Sequence, residues 1–374
     1  MNEMPALLAK SPLAAGWETA ERVLCVRLDT LGDVLMTTPA IRAVKGSRPG
    51  RHVTLLTAGP GAAAAALVPE IDKVITYDAP WMKATPPRPD SRLEYEMASR
   101  LREGRYDAAI IFTVYSQNPL PTALLCYLAG IPLRLAHCRE NPYQLLTTWV
   151  PEPEPEKGTR HEVRRQLDLV AAVGYQAHDE SLSVAVPPGA RRRVGHILAE
   201  AGVDRDRPWL VIHPGASAPS RRYSPRGFAR AARSLVQDHG FQVVWTGTRA
   251  EEELVAGIQA GVGSPTVSLV DRLNLGELAA LLSLAPLLIS NNSGPVHLAA
   301  AVGTPVVDLY ALTNPQHTPW AVPHRLLYHD VPCKYCYKSV CPLGHNNCLR
   351  LVAPGSVVEA ALDLLAETRN GGTP

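Results

Sequence analysis

Apolar positions along this chain fall in short, uninterrupted runs separated by stretches with helical spacing. Arg22–Arg27 (RVLCVR) and His52–Thr57 (HVTLLT) are such runs, as are 73–77 (KVITY) and 106–113 (YDAAIIFT). Residues 37–45 carry apolar side chains at helical spacing instead. Strands that are apolar throughout are buried on both faces, so this alternation predicts an α/β chain with a parallel sheet covered by helices. Alternate prolines at 151–155 (PEPEP) suit neither a helix nor a central strand and predict an exposed loop. A helix is expected over 161–173, and Pro187–Pro188 reads as a hinge.

The alternation then restarts. Trp209–His213 (WLVIH), 241–245 (FQVVW), 286–290 (PLLIS) and 305–310 (PVVDLY) read as strands. Residues 224–239, Leu275–Leu284 and 296–302 read as helices. Two successive α/β halves predict two Rossmann-like domains facing across a cleft, residues 1–187 and 188–354. Residues 355–374 are expected to form a helix and tail packing back on the N-terminal domain. No repeat at solenoid spacing is visible.

At 374 residues the chain exceeds most single cores, which agrees with two domains. Apolar residues at 46% and charged residues at 19% exclude a disordered chain. The formal net charge of +2 gives no global argument for nucleic acid or membrane, so a basic site must be local. Arg42, Lys45 and Arg48 are offered by one helix to anionic lipid, or are simply solvated. No apolar run reaches the ~20 residues of a membrane-spanning helix. The first twenty residues lack the basic start and apolar core of a secretory signal, so a cytoplasmic location is expected.

Three loops follow strands, where ligands bind in open parallel sheets. The first, Arg27-Leu28-Asp29-Thr30-Leu31-Gly32-Asp33, has Gly32 for a tight turn and Asp33 at a helix start. Asp33 either caps that helix or takes a proton from a hydroxyl. The second, His213-Pro214-Gly215-Ala216-Ser217, leads to Arg221 and Arg222, two cations able to neutralise a diphosphate. Arg222 reads equally well as solvated. The third, Ser290-Asn291-Asn292-Ser293-Gly294-Pro295-Val296-His297, opens a helix whose free N–H groups form an anion site, with His297 on its first turn. A P-loop lysine motif is absent, and no G-x-G-x-x-G follows the first strand, which disfavours a P-loop NTPase and a dinucleotide dehydrogenase.

Taken in order, RVLCVRLDTLGDVLMTTPAIRAVK, HPGASAPSRRYSPRGFARAA and SNNSGPVHLAAAVGTPVVDLY resemble the three blocks of glycosyltransferase family nine, the lipopolysaccharide heptosyltransferases. The resemblance runs through nearly all of 21–365. It implies a GT-B fold and an inverting transfer of heptose from ADP-heptose to a sugar hydroxyl of the lipopolysaccharide core, at the inner face of the cytoplasmic membrane. It implies Asp33 as base, Arg27 near the acceptor, and Ser217 and Arg221 at the donor diphosphate. Ser293, Gly294 and His297 match phosphate and sugar contacts. Glu251 falls where the ribose is expected and Leu273 where the adenine is. Asn292 departs from the family's usual aspartate: it gains a donor and loses a charge, which bears on donor-sugar identity. No cofactor is required by this chemistry.

Cys333, Cys336, Cys341 and Cys348 give C-x2-C-x4-C-x6-C beside His329 and His345. A plain reduced loop comes first, then a structural zinc site on the four cysteines, then a redox or iron–sulfur site. The rivals for the whole chain are a family member using another nucleotide sugar or a small-molecule acceptor, a sugar-nucleotide 2-epimerase, and a non-catalytic sugar-nucleotide-binding protein.

Overall fold

The computed structural model describes residues 12–83 and 85–369. The chain divides into two compact units between Ser183 and Val184, just ahead of Pro187–Pro188. Pro187 packs on the start of a helix of the second unit, where a Cβ at Gly276 would come within 2.8 Å of its ring.

The first unit runs α1 (Pro12–Thr19), β1 (Arg22–Arg27), α2 (Leu31–Gly46), β2 (His52–Thr57), α3 (Gly59–Ala65), β3 (Lys73–Thr76), α4 (Arg92–Glu103), β4 (Ala108–Ile111), α5 (Leu120–Leu128), β5 (Leu133–Cys138), β6 (Thr148–Pro151) and α6 (Glu162–Ala171). Its six strands are all parallel, in the order β3-β2-β1-β4-β5-β6. Leu24, Val26, Ile75, Leu101 and Ile111 build the core on one face, and α2 packs against α6. The prolines at 151–155 do not all lie in a loop. Pro151 ends β6, an edge strand, where a missing N–H costs no ladder bond.

The second unit runs α7 (Ala190–Glu200), β7 (Trp209–His213), α8 (Pro225–Gln237), β8 (Gln242–Trp245), α9 (Glu252–Val262), β9 (Val267–Ser268), α10 (Leu275–Leu284), β10 (Leu288–Asn291), α11 (Gly294–Ala301), β11 (Val306–Leu309), β12 (His324–Leu327), α12 (Asn347–Arg350) and α13 (Pro354–Arg369). Its sheet is also six-stranded and parallel, in the order β12-β11-β10-β7-β8-β9. The described part of the C-terminal segment, α13, is built into the second unit. Val357, Ala361, Leu364 and Leu365 of α13 join Phe228, Val307 and Leu309 in the core of the second unit. An apolar helix face is buried against the nearest apolar surface, here α8 and β11. Residues 370–374 of that expected segment lie outside the described residues.

In both sheets the chain changes direction of winding once. The switch lies between β1 and β4 in the first and between β7 and β10 in the second. Crevices for ligands open at such points. No described helix is long and apolar enough to cross a membrane.

Candidate functional site

At the first switch point the carboxyl ends of β1 and β4 border a cavity of about 730 Å³. Asp29, Thr30, Trp81, Phe112, Gln117 and Asn118 are among its lining residues. Asp29 is held from two sides: Gln117 Nε2 donates to its Oδ1 at 2.5 Å, and Arg27 Nε stands 2.9 Å from its Oδ2. Burial, against the pull of Arg27 and with a push from Asp33, raises the Asp29 carboxyl to about 6.

Asp33 is the third residue of α2 and closes a capping box with the N-cap Thr30. Its Oδ2 accepts from Thr30 N at 3.1 Å and Thr30 Oγ1 at 2.7 Å. Its Oδ1 accepts from Arg27 Nη2 at 3.2 Å. Gly32 is a buried helical residue rather than a turn, because the Thr30 cap starts the helix one residue earlier.

Arg27 was expected at the acceptor, and the structure corrects this. Its side chain is fully buried, and its guanidinium serves Asp29, Asp33 and, at 2.7 Å, Glu162 Oε1 of α6. Burial opposes the Arg27 charge, and the three carboxylates outweigh it, leaving its pKa above the ordinary arginine value. A guanidinium enclosed by three carboxylates positions them and has no face left for a sugar. The helix cations offered to lipid are likewise committed. Arg42 pairs with Glu70 and Asp179, Lys45 with Asp72, and Arg48 with Glu21.

At the second switch point the loops after β7 and β10 are tied together by Asn291. Its Nδ2 donates to Pro214 O at 2.6 Å, and its Oδ1 accepts from Tyr223 N at 2.9 Å. Ser217 is exposed on the first loop, and Arg221 ends a short 3-10 turn, Pro219–Arg221. Arg222 is not simply solvated: its Nε donates to Ala216 O at 2.7 Å and closes the loop. Glu251 stands against Gly215, where a Cβ would meet its Oε1 at 1.8 Å. The Glu251 Oε2 accepts from Thr248 N at 2.8 Å. Burial lowers the His213 pKa against the pull of Glu251. Leu273 is half-buried in the loop before α10.

Ser293 caps α11 in an extended conformation (φ −152°, ψ 180°) without a side-chain capping bond. Its buried Oγ has no hydrogen-bond partner among the described residues. Gly294 and Pro295 follow as the first helical residues, and His297 is buried on the first turn. Asn292 donates through Nδ2 to Asp308 Oδ2 at 2.9 Å and to His317 O at 2.8 Å. Asp308 is fully buried, and burial raises its carboxyl to about 8, against the Asn292 bond and Arg221.

The cysteine segment lies beside the second loop. Ser220 Oγ donates to Lys338 O at 2.7 Å and Ser220 N to Ser339 O at 3.0 Å. Cys333, Cys336, Cys341 and Cys348, none of them in a disulfide, border one small pocket with His345. Among the described residues no three His, Cys, Asp or Glu side chains stand together as a metal site, so the zinc ligand set is not assembled. His345 Nδ1 accepts from Asn347 N at 3.0 Å, which places the ring proton on Nε2, toward Cys333 Sγ at 4.0 Å.

The model of glycosyltransferase family 9 (heptosyltransferase) matches residues 95–346, well over half of the chain. Lipooligosaccharide heptosyltransferase 2 of Campylobacter jejuni is 31% identical over 162 residues, 42% of this chain and 50% of that protein, so the chain spans about half the length of that relative. Lipopolysaccharide heptosyltransferase 2 of Escherichia coli is 24% identical over 316 residues, covering 80% of this chain and 85% of that one. Among solved structures, the E. coli ADP-heptose lipopolysaccharide heptosyltransferase II superposes with a TM-score of 0.71 at 22% identity, covering 93% of this chain and 99% of that one. That likeness extends over both units and is one of GT-B fold.

Proposed function

This chain belongs to glycosyltransferase family 9, the heptosyltransferases, and on that premise we propose that it moves a heptose from ADP-heptose to a hydroxyl of a lipopolysaccharide core sugar. The observation that carries the reading is the second switch point. Asn291 draws two loops together there, and the unpartnered Ser293 Oγ and the first N–H groups of α11 stand at one strand end. A helix start of this kind favours a diphosphate, and Arg221 adds a cation on the neighbouring loop. The relatives' names support the sugar and the glycan class.

In the proposed mechanism the acceptor sugar occupies the first unit's cavity. Asp33 takes the proton of its attacking hydroxyl, and that oxygen bonds to the anomeric carbon as the bond to the diphosphate oxygen breaks. The charge appearing on ADP is met by Arg221, Ser217 and the start of α11. The anomeric configuration inverts in this single displacement. Arg27 holds Asp33 and Asp29 in place. Glu251 and Leu273 are proposed at the ribose and adenine, and His297 at the phosphate or sugar. No metal takes part in this reading. An acceptor anchored in the cytoplasmic membrane would bring the enzyme to its inner face.

The test is a donor screen followed by transfer. Purified protein is heated with ADP, GDP and UDP, then given ADP-heptose and a heptose-deficient core oligosaccharide. Selective stabilisation by ADP with heptose transfer is the expected result. Stabilisation by UDP or GDP would overturn the donor, and nucleotide binding without transfer to any acceptor would favour a non-catalytic binding protein.

A further inference from the structure

A closed circuit of hydrogen bonds joins Asp29 to helix α6. Gln166 of that helix has no solvent exposure. Both hydrogens of its Nε2 are spent, one on Glu162 Oε1 at 2.7 Å and the other on Thr113 O at 3.0 Å. A main-chain carbonyl can only accept, so the Thr113 bond fixes which way the amide is turned. Thr113 lies two residues beyond β4, and its peptide unit is held on both sides. The carbonyl takes Gln166 and also Arg165 Nε at 2.9 Å. The N–H of the same peptide, that of Val114, donates to Gln117 Oε1 at 3.2 Å. Gln117 turns its Nε2 to Asp29 Oδ1 at 2.5 Å. From Asp29 the path returns through Arg27, whose Nε is 2.9 Å from Oδ2 and whose Nη1 is 2.7 Å from Glu162 Oε1.

We infer that Gln166 is a positioning residue for the transfer reaction: it fixes the Thr113–Val114 peptide, the peptide orients Gln117, and Gln117 holds the Asp29 carboxylate at the cavity wall. This inference rests on the acceptor assignment made above for that cavity. Gln166 is not among the cavity's lining residues, so it acts through others. Asp29 is held from two sides, by Arg27 and by Gln117, and Gln166 stands behind both. It donates to the Glu162 oxygen that faces Arg27 and to the peptide that faces Gln117. The amides of Gln166, Thr113–Val114 and Gln117 also run head to tail, each donating to the next, and such an order strengthens the last bond, the one on Asp29.

The kinetic test is a double-mutant cycle on the full-length enzyme with the acceptor varied. Gln166→Met keeps the length of the side chain and removes its hydrogens. Gln166→Met and Gln117→Leu should each raise the acceptor KM about five- to tenfold, the worth of one hydrogen bond, and leave the donor KM unchanged. The double variant should lose no more than the worse of the two, because both cut one circuit. Penalties that multiply would show two independent contacts and overturn the inference.

A second readout needs no substrate. Burial raises the Asp29 carboxyl to about 6, with a push from Asp33 and against Arg27 and the Gln117 bond. Gln166→Met loosens both restraints, so the carboxyl should titrate higher still by carboxyl-carbon NMR, although Gln166 does not touch it. An unmoved titration overturns the inference. Where Gln166→Met folds poorly, Gln117→Leu serves: the side-chain amide signals of Gln166 should shift across the circuit, and unmoved signals overturn it. Wild-type enzyme without transfer would refute the proposed function, while the NMR readouts still decide the circuit.

Discussion

Arg27 Nη1 lies 2.7 Å from Glu162 Oε1, and neither side chain has any solvent exposure. The bond joins the first strand to a helix 135 residues further along the chain. Gln166 Nε2 adds a second donor to the same oxygen at 2.7 Å. Removing Glu162 takes away the one fully buried carboxylate of the three and leaves the Arg27 guanidinium to Asp29 and Asp33 alone. Glu162→Ala is expected to cost about 3–5 kcal/mol, read as a lower denaturant midpoint with an unchanged slope. Because Arg27 also braces Asp33, transfer should fall as well in whatever fraction remains folded.

The two carboxylates braced by Arg27 should fail differently. Asp33→Asn removes the proposed base and should reduce kcat about 100-fold or more, with the donor KM little changed. Asp29→Asn keeps a polar group at the cavity wall, and should act mainly on the acceptor KM. Steady-state kinetics with the acceptor varied separates them. An Asp33→Asn enzyme that folds and keeps most of its kcat would remove Asp33 from the mechanism.

Asp308 ties stability to pH. Its folded-state carboxyl is raised to about 8 from an ordinary value near 4. The folded protein therefore holds a proton that the unfolded chain has already released. Stability from this group is present at low pH and is lost as pH rises toward 8. Asp308→Asn should flatten the fall of Tm between about pH 4 and 8, the window set by those two values. An unaltered Tm slope in the variant would show that Asp308 does not hold that proton.

Gly215 is open to a one-methyl test. A Cβ there would sit 1.8 Å from Glu251 Oε1. Gly215→Ala must displace the Glu251 carboxylate and loosen its bonds to Thr248. The expected result is an ADP affinity lowered about tenfold or more, with a loss of stability of about 1–3 kcal/mol. Calorimetric titration of ADP gives the first quantity and denaturation the second.

Arg221 and Ser293 should carry the donor diphosphate together. Arg221→Ala removes a charge-assisted contact worth about 1.5–3 kcal/mol, and Ser293→Ala a neutral one worth about 1 kcal/mol. ADP binding should weaken in that order, while adenosine, which lacks the phosphates, should bind the variants as it binds wild type.

Much of this architecture was legible because parallel strands buried on both faces write themselves as apolar runs. Arg22–Arg27, His52–Thr57, Trp209–His213 and Leu275–Leu284 were delimited to the residue. The 37–45 helix was read too short at its start: Leu31–Met36 (LGDVLM) is helical too, opened by the Thr30–Asp33 capping box, while Gly32 suggested a turn there. β9 has two residues, and β12 is half-buried throughout; neither offers a run long enough to read.

The site divides in the same way. The RLDTLGD loop drew the eye to Asp33, yet Asp29 in the same loop faces the cavity. Asp308 left a signal in PVVDLY, a lone acid in a buried strand, that no argument used. Glu162 and Gln117 left none, since they meet Arg27 and Asp29 only through folding. Arg27 was misread because a motif reports which residues converge and not which of them stay accessible.

The contacts between Ser220 and the cysteine segment use the carbonyl oxygens of Lys338 and Ser339, not their side chains. Backbone groups are the same whatever residue supplies them. The stretch can thus drift in sequence between homologues while its grip on the loop after β7 stays intact. A deletion there would be another matter: losing even one residue would slide both oxygens out of register, so insertions and deletions, rather than substitutions, are what selection should exclude.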